Sequence, residues 1–428
     1  MSERVDDCAR IENGLLSGAS FLNDAGLKRV LGALDGAGEE ARVIGGAVRN
    51  SLLGERVHDV DLATTATPDM IIARAKKAGL RAVPTGIEHG TITLVCDGVA
   101  FEVTTLREDV ETHGRHASVR FGRDFRADAL RRDFTINQLS VDAEGRVYDY
   151  AGGLDDIAAR RVRFIGDAMI RIAEDYLRIL RFFRFHAAYA DGAMDPDALH
   201  ACVTLRGGLT GLSRERVQGE LMKLLVTKRA DESIEAMTHC GLLNDALAGA
   251  PNPARLRKAQ TIALANGLAP DAVLGLAALA VQVEEDARRL RERLRLSNAH
   301  EARLVSAARA LVAWHGLDAP PDEKQARETL YRHGRQAALD ALVLAHAESR
   351  RSSSDEAWRK AFAHLRDAPE LKLPVSGADF MARGVKPGPG MGAALKRFEE
   401  AWIARDFPME AAQIVQLVKA AARHTGLA

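Results

Sequence analysis

The spacing of apolar positions changes along the chain at about residue 150. Before this point, short segments that alternate apolar and polar residues, as strands do, are mixed with segments of helical period. From Leu154 onward the period is helical, and no convincing strand pattern follows Ile165. The pattern therefore predicts an α+β N-terminal part, an all-α remainder, and a main domain boundary within residues 150–166.

The N-terminal part is organised around the stretch from Val43 to Pro68, which reads VIGGAVRNSLLGERVHDVDLATTATP. Two β-forming residues lead into Gly45-Gly46, where the lack of a Cβ lets the backbone approach a ligand closely. Residues 47–53 have helical composition and stop at Gly54, a common helix terminator. The stretch therefore predicts a strand, a glycine turn, a short helix and a second strand.

The second strand of this stretch carries two aspartates, Asp59 and Asp61, at alternating positions. In a strand they share one face, and Val60 and Leu62 lie on the other. Two carboxylates side by side repel one another, and a divalent cation, most often Mg²⁺, relieves that repulsion with hard oxygen ligands. An isolated Asp-x-Asp is usually a solvated turn, but the strand, Gly-Gly turn and helix directly upstream favour a metal site.

A third carboxylate lies on a predicted hairpin. The β-rich segments Thr91–Asp97 and Val99–Leu106 meet at an Asp-Gly pair, which is a strong hairpin signal. Glu102 shares one face of the second strand with Thr104. Glu102 is therefore a candidate third ligand of the metal site or, equally, an ordinary surface residue.

Paired arginines follow in the segment Asp128–Val141, DALRRDFTINQLSV. It predicts a helix that ends near Arg131-Arg132 and a strand over Phe134–Val141. Adjacent arginines at such a junction suit phosphate oxygens, which accept bidentate hydrogen bonds, although such a pair is more often a solvated face. The polar run before it, over 107–126, has few apolar anchors and predicts a mobile loop.

A long helix is predicted over Ala168–Ala190. It carries four charged residues on one side: Asp175, Arg178, Arg181 and Arg184. The first three recur every three residues, a step that drifts by about 60° on a helix, so they share a broad stripe with the fourth at its edge. The ordinary interpretation is an amphipathic surface helix in which Glu174 and Arg178 form an i,i+4 pair. Another helix is predicted over Leu212–Leu225.

The composition limits the functions that the chain can have. Lys plus Arg and Asp plus Glu number 59 each in 428 residues, so a nucleic acid must be held by a local basic patch. Aromatic residues make up 5%, which argues against base stacking as the main binding device. The four cysteines form no C-x-x-C pair, and no apolar run approaches the length of about 18 residues that suggests a membrane helix. We expect a soluble, cytoplasmic protein that does not bind membranes.

Five segments resemble, in order, the motifs of the class II CCA-adding enzyme and bacterial poly(A) polymerase family: GGAVRN, DVDLAT, EVTTLR, RRDFTIN and EDYLRILRFFRF. The segment LSRERVQGELMKLL is similar to that family's next RNA-binding block, and the resemblance covers about residues 41–230. The chain departs from the family pattern at three positions. Asn50 stands in place of the usual aspartate, Gln138 in place of the usual alanine, and Tyr176 where proline is frequent. None of these removes a chemical group that the mechanism needs.

The resemblance implies a nucleotidyltransferase head of polymerase-β type, with a small mixed or antiparallel sheet and helices, over residues 1–152. It implies three helical domains after the head: a neck with a base-recognition helix (153–212), a tRNA-binding body (213–300) and a tRNA-binding tail (301–428). The sequence specifies no oligomeric state.

The same resemblance implies an enzyme that adds CCA to tRNA 3′ ends from CTP and ATP by two-metal nucleotidyl transfer, without a nucleic-acid template. Asp59 and Asp61 would hold two Mg²⁺ ions, with Glu102 as the third catalytic carboxylate. Phosphates and sugar would be bound by Gly46, Arg49 and Arg132. Four residues of the predicted long helix would bind the rest of the nucleotide or support that binding: Asp175, Arg178, Arg181 and Arg184.

Base choice would follow from hydrogen-bond complementarity. Asp175 can accept a hydrogen bond from the exocyclic amine of C or A, and Arg178 can donate one to the neighbouring ring nitrogen. U and G present a carbonyl and an N–H at those places, so a wrong base leaves buried polar groups unpaired, at a cost of about 1–3 kcal/mol each.

Three alternatives remain open at this point. A poly(A) polymerase is built from the same head, but the zero net charge and the lack of a strongly basic C-terminal tail lean away from it. An enzyme that adds only A, beside a separate CC-adding partner, is the second. The third is a non-catalytic RNA-binding module, which would have no use for a metal site.

Overall fold

The computed structural model describes residues 9–109 and 119–423, and the chain divides into two compact units, Met1–Asp245 and Ala246–Ala428. Every strand among these residues lies in the first unit. The strands are β1 (Arg10–Glu12), β2 (Leu15–Ser17), β3 (Ala41–Ile44), β4 (Asp61–Thr64), β5 (Arg81–Gly86), β6 (Thr91–Cys96), β7 (Val99–Thr105), β8 (Arg107–Asp109), β9 (Val119–Phe121), β10 (Ser140–Val141) and β11 (Val147–Tyr148).

Seven of these strands form one mixed sheet in the order β11-β10-β3-β4-β7-β6-β5. The pairing of β4 with β7 is parallel and the others are antiparallel. The predicted hairpin between β6 and β7 is confirmed: Asp97 and Gly98 have φ values of 50° and 84°, as a two-residue turn with positive φ at both positions requires. The predicted α+β start of the chain is confirmed.

The helices of the first unit follow and flank this sheet. They are α1 (Ala25–Leu34), α2 (Gly46–Leu53), α3 (Pro68–Lys77), α4 (Phe125–Leu130), α5 (Gly153–Ala158), α6 (Ala168–Glu174), α7 (Leu177–Tyr189), α8 (Pro196–Thr204), α9 (Arg214–Leu224) and α10 (Ala230–His239), with α11 (Asn244–Leu247) at the unit boundary. The short helix after the Gly-Gly turn and the helix over 212–225 are therefore present, each within one or two residues of its prediction.

The second unit contains helices and, in its described part, no strand. They are α12 (Pro253–Ala265), α13 (Ala272–Ala280), α14 (Glu284–Leu294), α15 (Asn298–Leu311), α16 (Glu323–His333), α17 (Arg335–Glu348), α18 (Glu356–Asp367), α19 (Gly377–Met381), α20 (Pro389–Ala404) and α21 (Ala411–Arg423). Residues 337–347 of α17 are all buried, so this helix forms the centre of the core. The predicted division of the helical part into neck, body and tail stays a prediction.

The predicted strand over Phe134–Val141 is wrong in its first half. Residues Thr135–Asn137 form a 3₁₀ turn, and only Ser140–Val141 pairs in the sheet. Asp133 explains the difference, because its carboxylate accepts the backbone N–H of Phe134 at 2.9 Å and the side-chain amide of Asn137 at 3.0 Å. Such local hydrogen bonds to a side chain compete with strand pairing.

The predicted continuous helix over Ala168–Ala190 is also wrong, because it is interrupted at Asp175-Tyr176. Asp175 has extended backbone angles, φ −155° and ψ 106°. Its side chain accepts the backbone N–H of Leu177 at 3.1 Å and so caps the start of α7. The interruption turns one predicted helix into the pair α6 and α7.

The predicted mobile loop over 107–126 has regular structure at both ends. β8 pairs with β9, with Arg107 opposite Phe121, and α4 starts at Phe125. The central part of the predicted loop, 110–118, lies outside the described residues. Over the part of the chain that the structure covers, no helix combines the length and the apolar character that crossing a bilayer requires.

The fold of α7 should depend on pH through His186. This side chain is 3% exposed, and burial, helped by Arg229, lowers its pKa to about 4. His186 binds its proton more tightly in the unfolded chain than in the folded one. The neutral ring therefore contributes fully to the free energy of unfolding above pH 6.5. This contribution, up to about 3 kcal/mol, is lost as the pH falls toward 4. We expect hydrogen exchange of the α7 amides, corrected for intrinsic rates, to lose protection between pH 7 and pH 5.

The variant His186→Phe removes the titrating ring and should lose much less protection over the same pH interval. His200→Phe, at an exposed position of α8, is the matched control and should behave like the wild type. Equal protection of wild-type α7 at both pH values would contradict the prediction.

Candidate active site

Three elements of the first unit meet at one end of the sheet. In the antiparallel pair, Ile44 at the end of β3 lies opposite Asp61 at the start of β4. In the parallel pair, Asp61 lies opposite Glu102 of β7. The Gly45-Gly46 turn follows Ile44 directly, so the turn, the first residue of β4 and Glu102 share one location.

Carboxylates gather at this place. Asp59, Asp61 and Glu102 are exposed, whereas Leu62 and Val103 beside the last two are buried. The predicted alternation is therefore confirmed from Asp61 onward, but the prediction that Asp59 and Val60 belong to the same strand is wrong, because β4 begins at Asp61. Although Asp61 reaches the surface, partial desolvation raises its pKa, and the charges of Glu102 and Asp59 raise it further, against an opposing effect of Arg132. The predicted third carboxylate, Glu102, is therefore an immediate neighbour of Asp61.

These carboxylates are suitable ligands for a cation, although they do not form a complete coordination shell. Among the described residues, no three His, Cys, Asp or Glu side chains are close enough together to form a ready-made metal group. Carboxylate oxygens are nonetheless the ligands that Mg²⁺ prefers. Desolvation is the main cause of the raised pKa of Asp61, and repulsion by Glu102 and Asp59 adds to it. A bound cation would remove that repulsion, so the residues fit such an ion.

Gly45 is the residue that makes the turn possible. It has φ +64°, and a Cβ at this position would lie 3.4 Å from the carbonyl oxygen of Asn137 and 3.5 Å from Nη1 of Arg132. A Cβ on Gly46, the glycine singled out from the sequence, would make only an ordinary contact at 3.6 Å with Nη2 of Arg49. The turn therefore brings the start of α2 close to the guanidinium groups of both arginines.

The paired arginines at the end of α4 share one buried aspartate. Asp128 accepts hydrogen bonds from Nε of Arg131 and from Nη2 of Arg132, both at 3.0 Å. Burial tends to raise the pKa of Asp128, but the two guanidinium groups outweigh it and hold that pKa below its usual value. The shared aspartate orients Arg132 beside Asp61 and the glycine turn.

Arg49 is buried under the turn, with 7% of its surface exposed. It donates to Oδ1 of Asn50 at 3.1 and 2.8 Å, to the hydroxyl of Tyr189 at 2.9 Å, and to Oδ1 of Asn137. Its guanidinium carbon lies 4.1 Å from the centre of the Tyr189 ring. Burial lowers the pKa of Arg49. This residue thus joins α2 to α7.

Asp175 lies at the break between α6 and α7. One carboxylate oxygen caps α7, and the other accepts a hydrogen bond at 2.7 Å from Nη2 of Arg216 on α9. The guanidinium of Arg178 turns to Glu174 and to the backbone carbonyl of Arg171, the latter at 2.6 Å. The ordinary i,i+4 pair between Glu174 and Arg178 is therefore present, and Asp175 and Arg178 keep separate partners.

The two other arginines of α7 bridge to neighbouring elements. Arg181 donates from Nε to Oδ2 of Asp133 at 2.7 Å and lies 3.6 Å from Oε1 of Glu220. Arg184 donates to Oε2 of Glu220 at 2.5 Å. Burial tends to raise the pKa of Asp133, but Arg181 and the local hydrogen bonds lower it overall. These bridges connect the segment after α4, the helix α7 and the helix α9.

Three residues of this network escaped the sequence-based prediction: Asp133, Arg216 and Glu220. A signal was present for two of them, because Arg216 and Glu220 are four residues apart and so lie on one face of a helix. Asp133 directly follows the two arginines that were singled out. Only the fold shows that their partners lie on α7.

Comparison with known proteins agrees with these features. Residues 41–163 match the Poly A polymerase head domain family, residues 193–250 the family described as a probable RNA and SrmB-binding site of polymerase A, and residues 271–418 a putative tRNA nucleotidyltransferase domain 2. The chain is similar to the CCA-adding enzyme of Bacillus stearothermophilus in complex with CTP, with a TM-score of 0.73 at 27% identity, covering 93% of this chain and 98% of that one.

Curated relatives match over most of their length. The mitochondrial CCA tRNA nucleotidyltransferase 1 of Danio rerio is 36% identical over 85% of this chain and 83% of its own. The CCA-adding enzyme of Limosilactobacillus fermentum is 32% identical over 91% of this chain and 96% of its own. With the head-domain match, these similarities show that the chain belongs to the family of CCA-adding tRNA nucleotidyltransferases.

Proposed function

We propose that this protein adds C, C and A to the 3′ end of tRNA, from CTP and ATP and without a nucleic-acid template. The observation that carries the proposal is the strand register that places Asp61 opposite Glu102, with the Gly45-Gly46 turn directly beside them. The relatives support it, since they are CCA-adding enzymes or CCA tRNA nucleotidyltransferases, and the Bacillus stearothermophilus enzyme was solved in complex with CTP.

Asp59 and Asp61 would hold the divalent cations, Mg²⁺ in this proposal, with Glu102 as third carboxylate. When bound, such ions lower the pKa of the RNA 3′-hydroxyl and stabilise the charge on the leaving pyrophosphate. The protein itself would position the triphosphate between the start of α2, whose first N–H groups have no partner within the helix, and the guanidinium groups of Arg49 and Arg132.

Base selection would take place at the start of α7. The pair formed by Asp175 and Arg216 is partly exposed, with 33% and 42% of the side chains accessible, and exposed pairs contribute only about 0–1 kcal/mol. The amine of an incoming C or A can therefore share or replace the Arg216 contact. Arg178 would give up its contact with Glu174 or share it, and donate to the neighbouring ring nitrogen.

The helical regions expected to form neck, body and tail, over 153–212, 213–300 and 301–428, would hold the tRNA. The match of residues 193–250 to a family described as an RNA-binding site supports this assignment. A cytoplasmic location remains our expectation, beside relatives described as mitochondrial.

The carboxylate site is tested by substitution and by removal of divalent cations. We expect Asp59→Asn and Asp61→Asn each to abolish incorporation of labelled CTP and ATP into tRNA, because each removes a charged ligand, while tRNA binding is retained. Excess EDTA should have the same effect on the wild type. Asp69→Asn, at an exposed position of α3, is the control, and normal incorporation by either site variant would contradict the assignment.

The base-reading role of Asp175 is tested by nucleotide choice. Asp175→Asn keeps one side-chain oxygen that can accept the backbone N–H of Leu177. It replaces the other carboxylate oxygen by an amide NH₂, which can donate a hydrogen bond to the carbonyl of U or G. We expect discrimination against UTP and GTP to fall by roughly 5- to 150-fold, the equivalent of about 1–3 kcal/mol, with Asp175→Ala also relaxed. Unchanged selectivity in both variants, measured as ratios of kcat/KM, would rule out this role.

A further inference from the structure

Arg49 differs from the other arginines of the site in the groups that its guanidinium contacts. All the acceptors that it contacts are neutral: Oδ1 of Asn50, Oδ1 of Asn137 and the hydroxyl of Tyr189. Four of the five N–H groups of a guanidinium are used in these contacts. Within the described parts of the chain, no carboxylate forms an ion pair with Arg49, and the charge of Asp133 acts on it only from a greater distance, with Asn137 in contact with both residues.

The other three arginines of the site, by contrast, each form an ion pair within the protein. Each pairs with an acidic side chain: Arg132 with Asp128, Arg181 with Asp133 and Arg184 with Glu220. Arg49 is also the most buried of the four, at 7% exposure. A buried charge that has hydrogen bonds but no counter-ion is costly, and that cost falls when an anion arrives.

The charge of Arg49 lies where an anion would bind. Its Nη2 is 3.6 Å from the position of a Cβ on Gly46, the first residue of α2. Helix N-termini carry a partial positive charge and unsatisfied N–H groups, and Arg132 adds a second guanidinium at the same turn. Of these positive groups, Arg132 already has a carboxylate partner and Arg49 has none.

We propose that Asn50 sets the affinity of the glycine turn for phosphate groups, because it orients the guanidinium of Arg49 without neutralising it. The Asn50 oxygen accepts the two hydrogen bonds from Arg49, and its amide donates to the backbone carbonyl of Arg56 at 2.9 Å. The triphosphate of the nucleotide supplies the missing negative charge. This inference rests on the proposed function. It also gives a physical consequence to the presence of Asn50 in place of the usual aspartate. An aspartate at position 50 would accept the same hydrogen bonds from Arg49 and add a negative charge.

The proposal has two consequences of opposite sign. In Asn50→Asp the new carboxylate would pair with Arg49 in the absence of nucleotide, and the exposed hydrogen bond from the Asn50 amide to the carbonyl of Arg56 would be lost. Because a hydrogen bond to a charged group is stronger than an exposed neutral one, the melting temperature should rise. The same pair would compete with phosphate groups, which should weaken nucleotide binding. Substitution of a residue with only a structural role would not raise stability and lower nucleotide affinity together. The preference between bases should not change, because Asn50 is proposed to act on the phosphate groups and Asp175 on the base.

The experiment compares the full-length wild type with Asn50→Asp, without RNA and in Mg²⁺ buffer, by calorimetric titration with CTP, ATP and inorganic pyrophosphate. We expect Kd to rise about tenfold for all three ligands, the ratio between CTP and ATP to stay constant, and the melting temperature to rise. Equal or tighter binding of pyrophosphate, or a lower melting temperature, would overturn the proposal.

A double-mutant cycle with Arg49→Gln provides the matched control. If Asn50→Asp acts by neutralising Arg49, it should change the pyrophosphate Kd little further in the Arg49→Gln background. An undiminished tenfold effect there would show a general charge effect and also overturn the proposal. Wild-type protein that neither binds CTP and ATP nor extends tRNA would refute the proposed function, whereas active wild-type protein with unchanged binding in Asn50→Asp would refute this inference alone.

Discussion

The parallel pairing of β4 with β7 is the contact on which the proposed active site depends. Leu62 lies opposite Val103, and both are fully buried, so packing of the apolar face defines the register. In that register Asp61 and Glu102 are neighbours on the opposite, exposed face. A shift by one residue would move Glu102 to the buried face. The exposed set of carboxylates would then lose Glu102, and the core would contain an uncompensated charge.

A second constraint holds α7 against its neighbouring elements in the first unit. Arg181 and Arg184 reach Asp133 and Glu220, and Arg49 reaches Tyr189. Because these partners are buried or nearly so, removal of one leaves the other without its counter-charge or hydrogen bond, which is more costly than loss of an exposed pair. The positions of α2, α7 and α9 relative to one another are therefore maintained by polar contacts within the first unit.

The sequence predicted the features that are coded locally and missed those that depend on distant partners. The Asp-Gly hairpin and the alternation from Asp61 onward follow from short-range chemistry and were correct, although the strand does not extend back to Asp59 as predicted. Helical periodicity continues without interruption across Asp175, so the break there could not be read from it. The break depends on the side chain of Asp175, which caps α7 and binds Arg216 on α9, and periodicity contains no information about such partners. The sequence left open whether Glu102 lies near the two aspartates, and only the sheet order shows that it lies beside Asp61.

The most direct test of the central claim is the order in which nucleotides are added. tRNA transcripts that end before, within and after the CCA sequence are incubated with Mg²⁺ and labelled CTP or ATP, alone and together, and product lengths are read on a gel. We expect addition of C, C and A, completed only when both nucleotides are present and ending there. A long ladder of A, a single A on transcripts ending in CC without any use of CTP, or tight tRNA binding without incorporation would contradict the claim.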